Sequence, residues 1–382
     1  MAEFSGYKLG SLPVRYLGLP LLSGKLTIRA CAPLIDRVTR RIASWKSKTL
    51  SYVGKFQLVM SVLYSLTQFW MSIFILPKAV IRSIEKLCSD FLWGLGDGAR
   101  KKAVVAWARI TYPKKEGGLG LRDMSSWNFA CVTRHIWAIL LKQGSLWVAW
   151  IWEYRIKRGS FWDVTTKPGS WLWLKLLKSR DKLRVWLSDD VEGVYWKGDH
   201  LEKFSIKKVW EEVRPKSRLV AWNALIWKGS YIPKNQFLVW LVVSDYIVIG
   251  DKIQGWGEAG SYGCVFCPCP LETRSHLFAE CGVYRQAFAA LFVNFTCQNH
   301  GNQWSGERAW ASQQFQKRIE AALAGRMIWQ ALIAAVWRER CKVKYGGKLL
   351  DLEGLIRLVK SELIVVLAQL AELVASKVLN AF

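Results

Sequence analysis

Apolar and polar positions alternate along this chain mostly with a helical period. From Pro33, a residue suited to a first helical turn, Leu34, Val38, Ile42 and Trp45 fall three or four apart, and Arg37, Arg40, Arg41, Lys46 and Lys48 fill the other faces. That spacing predicts a basic amphipathic helix. Before it, the two prolines in Leu12-Pro13-Val14-Arg15-Tyr16-Leu17-Gly18-Leu19-Pro20-Leu21 predict an extended segment with turns. The uncharged run Phe56 to Leu76 is long enough to cross a bilayer, yet Gln57, Ser61, Ser65, Gln68 and Ser72 recur at helical spacing. One polar stripe of that kind predicts a helix packed inside a protein and stopped by Pro77. A further helix is expected over Ile81 to Trp93, with Ile84, Leu87, Cys88 and Phe91 on one side, and a helix pair over Trp127 to Trp152.

The second half reads similarly. A hairpin is expected near Asp189-Asp190, with Trp196 and Gly198, and Phe204 to Trp210 begins a helix. Arg218 to Trp227 and Asn235 to Val243 carry Trp222, Trp227, Phe237 and Trp240 at core-like spacing. Phe288 to Phe295 is apolar, Gln298 to Gln314 is polar and loop-like, and Ala321 to Val343 is helical. After the Gly346-Gly347 break comes a final helix with a broad stripe of Leu355, Leu358, Val359, Leu363, Val366, Leu367, Leu370, Leu373 and Val374. That stripe must pack within the chain or against another one.

Charge narrows the class of partner. With 382 residues the chain can bury two or three cores, and a net charge of +26 favours a polyanion, nucleic acid before membrane. Its 23 tryptophans exceed the needs of core packing, although helix cores account for most of them, and indoles beside cations stack on unpaired bases. Arg155, Lys157, Arg158, Lys167, Lys175, Lys178, Arg180, Lys182 and Arg184, interleaved with Trp162, Trp171, Trp173 and Trp186, form the best candidate track. Arg37, Arg40, Arg41, Lys207 and Lys208 join it as candidate phosphate contacts. Lys101 and Lys102 precede the apolar segment around Trp107, and Pro113 to Gly120 reads as a tight turn because the Walker pattern of a phosphate-cradling loop is absent.

Nine cysteines, an odd number, and an opening Met-Ala-Glu-Phe without a basic, apolar leader suit a reducing intracellular compartment, nuclear or cytoplasmic, and not secretion. The cysteines cluster once. Cys264, Cys267, His276 and Cys281 spell C-x2-C-x8-H-x4-C, a spacing that closes two knuckles around one tetrahedral zinc ion, and the His is one of only four in the chain. Four protein ligands leave no open position for water, so a zinc here is structural. Cys269, two residues beyond Cys267, is an alternative ligand by spacing.

These residues resemble a known family, the C-terminal portion of reverse transcriptases of plant non-LTR (LINE-type) retrotransposons. Leu12 to Leu21 is similar to the segment after the polymerase palm. Ile42-Ala43-Ser44-Trp45, Phe91-Leu92-Trp93, the Pro113 to Gly120 turn and Trp127-Asn128 are similar to the helical region beyond it. Phe204 to Trp210, Trp222, Leu225-Ile226-Trp227, Asp251, Trp256-Gly257, the cysteines, Glu272-Thr273 and His276-Leu277-Phe278 resemble the family's reverse-transcriptase zinc-binding domain. The chain departs from the pattern at Gly250, where a threonine is expected, and in the extra Cys269.

The resemblance implies a mainly α fold: a helical post-palm region (1–186), a zinc-binding helical module with a CCHC knuckle (187–295) and a C-terminal helical tail (296–382). It also implies that the catalytic palm is missing and that the chain begins after it, as a truncated element. Polymerase chemistry needs carboxylates on two metal ions, usually in a Tyr-x-Asp-Asp turn, and the one adjacent pair, Asp189-Asp190, follows Leu187-Ser188 and reads as a solvated turn. The expected function is noncatalytic binding of RNA or single-stranded DNA. The alternative is a zinc-stabilised interaction module that docks through the C-terminal apolar helix, on the missing polymerase core or another protein.

Overall fold

The computed structural model describes residues 12–379 except 13, 23, 47, 95–102, 166–168, 191–192, 197–203, 230–231, 258–259, 294, 296–302 and 316–319. Lys101, Lys102, Lys167 and Gly198 lie outside the described residues. Helices dominate, and the strands form two small antiparallel hairpins. In the first, β1 (Val14–Tyr16) pairs with β2 (Leu19–Leu21), Tyr16 opposite Leu19. Leu17 and Gly18 both take positive φ, 50° and 81°, as a two-residue hairpin turn requires.

The periodic helices form where the apolar spacing places them. α1 (Ala32–Lys46) buries Leu34, Val38 and Ile42. The uncharged run becomes α2 (Tyr52–Leu58), a π-turn (Val59–Leu63) and α3 (Tyr64–Ile73). Its polar stripe is accounted for locally: the hydroxyls of Ser61, Ser65 and Ser72 donate to carbonyls of their own helix, and Gln68 accepts the Trp127 indole N–H at 2.6 Å. Among the described residues no helix is long and apolar enough to cross a membrane. α4 (Lys78–Trp93) buries Ile84, Cys88 and Phe91 and stops at Gly94, whose φ of 68° is the left-handed cap that favours glycine.

The short α5 (Trp107–Thr111) leads into the Pro113 to Gly120 turn, and then comes α6 (Met124–Leu140). Buried Asn128 of α6 finishes α3: its amide donates to the carbonyls of Met71 and Phe74 at 2.8 and 2.7 Å, and its oxygen accepts from the Leu76 N–H. Carbonyls stranded at a helix end are thereby satisfied without water. α7 (Leu146–Ile151) continues through a π-turn (Trp152–Ile156), and α8 (Trp171–Leu183) follows. β3 (Leu187–Asp190) and β4 (Gly193–Trp196) make the expected second hairpin, with Asp189 and Asp190 on its first strand and not in its turn.

The turn at Pro113 to Gly120 ties the first half of the chain to the second. The Glu116 carboxylate accepts from Arg214 at 2.5 and 2.8 Å and from the Ser217 N–H at 2.9 Å, with both charged side chains buried. The carbonyl of Gly117 accepts the Trp240 indole N–H at 2.9 Å. A side chain at Gly118 would meet the Tyr112 carbonyl oxygen at 2.0 Å, so the close approach requires glycine.

The remaining elements are α9 (Ile206–Val213), α10 (Asn223–Trp227), α11 (Pro233–Val243), α12 (Gly250–Gly255), a π-turn (His276–Glu280), α13 (Gly282–Leu291), α14 (Trp304–Gln314), α15 (Glu320–Lys344) and α16 (Leu352–Leu379). Helix in the Arg218 to Trp227 stretch is confined to α10. The polar stretch expected to be a loop holds α14, because Trp304, Glu307, Trp310 and Ala311 recur on one buried face. One hydrophobic cluster runs from Leu19 to Val359, and α15 contributes Trp329, Leu332 and Ile333 to it. Of the α16 stripe, Leu355 and Val359 are buried and Leu367 is exposed, and Ile364 and Val365 outside the stripe are exposed as well.

Candidate metal centre

The four predicted ligands come together. The donor atoms of Cys264, Cys267, His276 and Cys281 all lie within 4.8 Å of one another, and Cys267 Sγ is 3.2 Å from His276 Nε2. Zinc–sulfur bonds of about 2.3 Å in a tetrahedron put sulfurs about 3.8 Å apart, so the set closes on one ion with little movement. Three sulfurs and one imidazole are the donors that zinc prefers in structural sites.

Local backbone geometry builds each half. In the first knuckle the Cys264 N–H donates to the Cys269 carbonyl at 3.0 Å, and the Phe266 N–H reaches Cys264 Sγ at 3.4 Å. The Cys269 thiol donates to the Leu271 carbonyl at 3.4 Å, and Cys269 is not among the four clustered donors. In the second half the Thr273 hydroxyl accepts the His276 N–H at 3.0 Å, which starts the π-turn. Residues five apart on an α-helix point about 140° away from each other. The π-turn's wider winding closes that gap, and the Cys281 N–H bonds back to the His276 carbonyl at 2.7 Å.

Electrostatics favour a thiolate at Cys281. A hydrogen bond from Cys264 comes first, followed by the amides of Tyr284 and Val283 at the head of α13 and the charge of His276, and together they pull Cys281 down to about 5 against its burial. The Cys264 thiol is pushed up, first by that same bond and then by burial. A bound zinc would displace the thiol proton of the Cys264–Cys281 hydrogen bond.

The loop that carries the ligands is anchored to a distant helix. Glu272, fully buried between the two halves, accepts from Arg340 of α15 at 2.7 to 3.2 Å. Lys344, one turn further, donates to the carbonyls of Ser261 at 2.8 Å and Gly263 at 3.3 Å. The Glu272 carbonyl accepts the Asp251 N–H, and a side chain at Gly250 would lie 2.1 Å from the Tyr262 oxygen. Glycine at 250 therefore fits this chain, and a threonine would force the loop to move. The sequence offered no signal for Arg340 or Lys344, which lie in the expected tail.

The basic candidates are spread over four elements. Arg37, Arg40 and Arg41 are exposed on α1, and Lys178, Lys182 and Arg184 are exposed on or just after α8, with Lys175 half-buried. Lys157 and Arg158 are exposed after α7, while Arg155 is half-buried; on α9, Lys207 is exposed and Lys208 half-buried. Arg180 corrects the expectation: its side chain is 10% exposed, and it bonds the carbonyls of Phe161 and Val164 and the carboxylate of Asp181. A guanidinium so occupied holds a loop and has little to offer a phosphate. The interleaved indoles are corrected as well, because Trp162 and Trp173 are core residues and Trp171 and Trp186 are half-buried. The exposed rings in this region belong to Trp147, Trp150 and Tyr154, which the sequence did not single out.

Comparison with known proteins agrees with this geometry. A family described as zinc-binding in reverse transcriptase matches residues 204–287, which include all four ligands. "Putative ribonuclease H protein At1g65750" of Arabidopsis thaliana is 33% identical over 156 residues, 40% of this chain and 25% of that protein. "Uncharacterized mitochondrial protein AtMg00310", also of Arabidopsis thaliana, is 27% identical over 116 residues, 30% of this chain and 75% of its own length. The match thus spans about a quarter of the first relative. Residues 204–287 are a reverse-transcriptase-related, zinc-binding type of region.

Proposed function

We propose that the chain is a noncatalytic, nucleic-acid-binding part of a plant LINE-type retrotransposon reverse transcriptase, with a structural zinc ion on Cys264, Cys267, His276 and Cys281. The observation that carries the reading is the convergence of three thiols and one imidazole within 4.8 Å inside the matched zinc-binding region. The zinc would fix the knuckle on α15, and the surplus of +26 would hold RNA or single-stranded DNA through phosphate contacts. Arg37, Arg40, Arg41, Arg155, Lys157, Arg158, Lys175, Lys178, Lys182, Arg184, Lys207 and Lys208 are the cations assigned to that role.

The test has two measurements on the purified chain. Metal analysis should find one zinc per chain, lost in Cys281→Ser. Affinity for single-stranded RNA should fall steeply with salt, roughly a thousandfold between low and moderate salt if about six phosphates are contacted. No zinc, or an affinity indifferent to salt, would overturn the corresponding half of the proposal. Nuclease or polymerase activity that disappeared in the Asp189→Ala, Asp190→Ala double variant would overturn the noncatalytic reading. A second reading, docking on a protein through α16, is favoured by the exposure of Ile364, Val365 and Leu367 and predicts binding that salt barely changes.

A further inference from the structure

The π-turn that ends α7 leaves an unusual surface beside the basic residues. Trp147, Trp150 and Tyr154 recur at i, i+3 and i+7, so they share one face of the helix, and they are 38%, 47% and 63% exposed. Trp150 and Tyr154 lie 5.6 Å apart between ring centres with an angle of 31° between their planes. Val148, Ile151 and Ile156 of the same stretch are buried and fix the helix to the core. The aromatic face is therefore held rigidly outward. Exposed indoles are costly in water, and contiguous apolar surface of this kind usually marks a binding site.

The surroundings choose the occupant. Lys142 precedes the helix and Lys157 and Arg158 follow it, all three exposed, and the Arg155 guanidinium sits 5.6 Å from the Trp150 ring. Lys142 lies 4.4 Å from the half-buried ring of Trp152, whose indole N–H donates to the Ile139 carbonyl of α6. Lys157 keeps its place in an unusual backbone conformation, φ 59°, where it closes the π-turn with a bond to the Trp152 carbonyl at 2.6 Å. Cations flanking a row of flat rings match a strand that offers phosphates at its edge and unpaired bases at its centre. A protein partner would need acidic groups around an apolar stripe, and a duplex hides its base faces.

Resting on the nucleic-acid reading above, we infer that Trp147, Trp150 and Tyr154 form a stacking platform for unpaired bases of a single-stranded nucleic acid, with Lys157 and Arg158 holding its phosphates. The zinc knuckle has no part in this site. The platform gives the molecule preference for single strands over duplex and little preference among bases, because every base has a stacking face.

The test uses the full chain with a 20-nucleotide single-stranded RNA that carries 2-aminopurine, and the same RNA as a duplex. The parent should quench 2-aminopurine fluorescence and bind the single strand more tightly than the duplex. Trp150→Ala with Tyr154→Ala should weaken single-strand binding roughly tenfold or more, abolish the quenching and leave the salt slope unchanged, since no charge is lost. Trp150→Phe with Tyr154→Phe should restore most of the affinity, whereas Lys157→Ala with Arg158→Ala should lower the salt slope by about 1.4. Zinc content and melting temperature should stay at parental values in all of these. A parent that binds but whose Ala double variant binds equally well would overturn the platform and leave the broader function standing. A parent without salt-sensitive binding would overturn both. If the Ala double variant instead separated an oligomer into monomers with RNA affinity intact, the surface would be an interface between copies and the inference would fail.

Discussion

The hydrogen bond from the Cys264 thiol and the amides of Tyr284 and Val283 at the head of α13 favour the thiolate form of Cys281. Cys281→Ser is expected to abolish zinc binding, and Cys269→Ser to retain one zinc per chain, because the Cys269 thiol is committed to the Leu271 carbonyl. Metal analysis of the two variants checks both. Glu307 on α14 is buried and accepts from Tyr284 and Trp329, each at 3.0 Å, and burial raises it from 4.5 to about 7. Its folded state therefore binds a proton more tightly than the unfolded chain, and stability declines as pH rises from about 4.5 through 7. Glu307→Gln should flatten that decline and exceed the parent at pH 8 by up to about 3 kcal/mol, with no such gain at pH 4. Denaturant melts at the two pH values decide it. The cluster of four donors was legible in the sequence because metal-binding motifs use short local spacings; Glu307 was not, because its role depends on Trp329 and on burial, which no spacing encodes.

Among the elements, α1 could be read from periodicity because it buries a regular apolar stripe, and α15 from a long apolar run that is buried on all sides from Trp329 to Val336. α14 could not: its buried face mixes Trp304 and Trp310 with a carboxylate, and the rest of it is polar. The abundance of tryptophan misled in the same way. Trp162 and Trp173 beside basic residues have the composition of a binding track, but their neighbours on the fold are apolar, and the exposed rings lie a helix earlier. Arg180 shows the converse, a cation drawn inward by unsatisfied carbonyls. The tie between Glu272 and Arg340 is the element-level contact most open to test. Arg340→Met leaves a buried carboxylate without its partner and should cost about 3–5 kcal/mol, while Glu272→Leu with Arg340→Met should recover most of it. Melting curves for the single and double variants, with zinc present, check the outcome.

At the scale of the molecule, a single hydrophobic cluster joins the helices before and after the knuckle, and the buried Glu116–Arg214 pair fixes the turn between them. Chelation of the zinc should lower the melting temperature of the whole chain in one transition and not only loosen the knuckle; calorimetry before and after chelator addition tests this. The helical class was accessible from the apolar pattern, but the joining of distant segments was not, since Arg340 lies 68 residues from Glu272 in the chain.

The hold of α15 on the knuckle bears on how far the chain must extend to keep the donor cluster in place. A copy cut after residue 287 would keep the whole matched region and every zinc ligand, yet it would lose Arg340 and Lys344, leaving Glu272 a charge with no counter-ion. The contacts that hold the donor cluster in place therefore extend as far as Lys344. A chain ending between residues 287 and 344 is expected to bind zinc more weakly than the full chain, although it keeps every clustered cysteine.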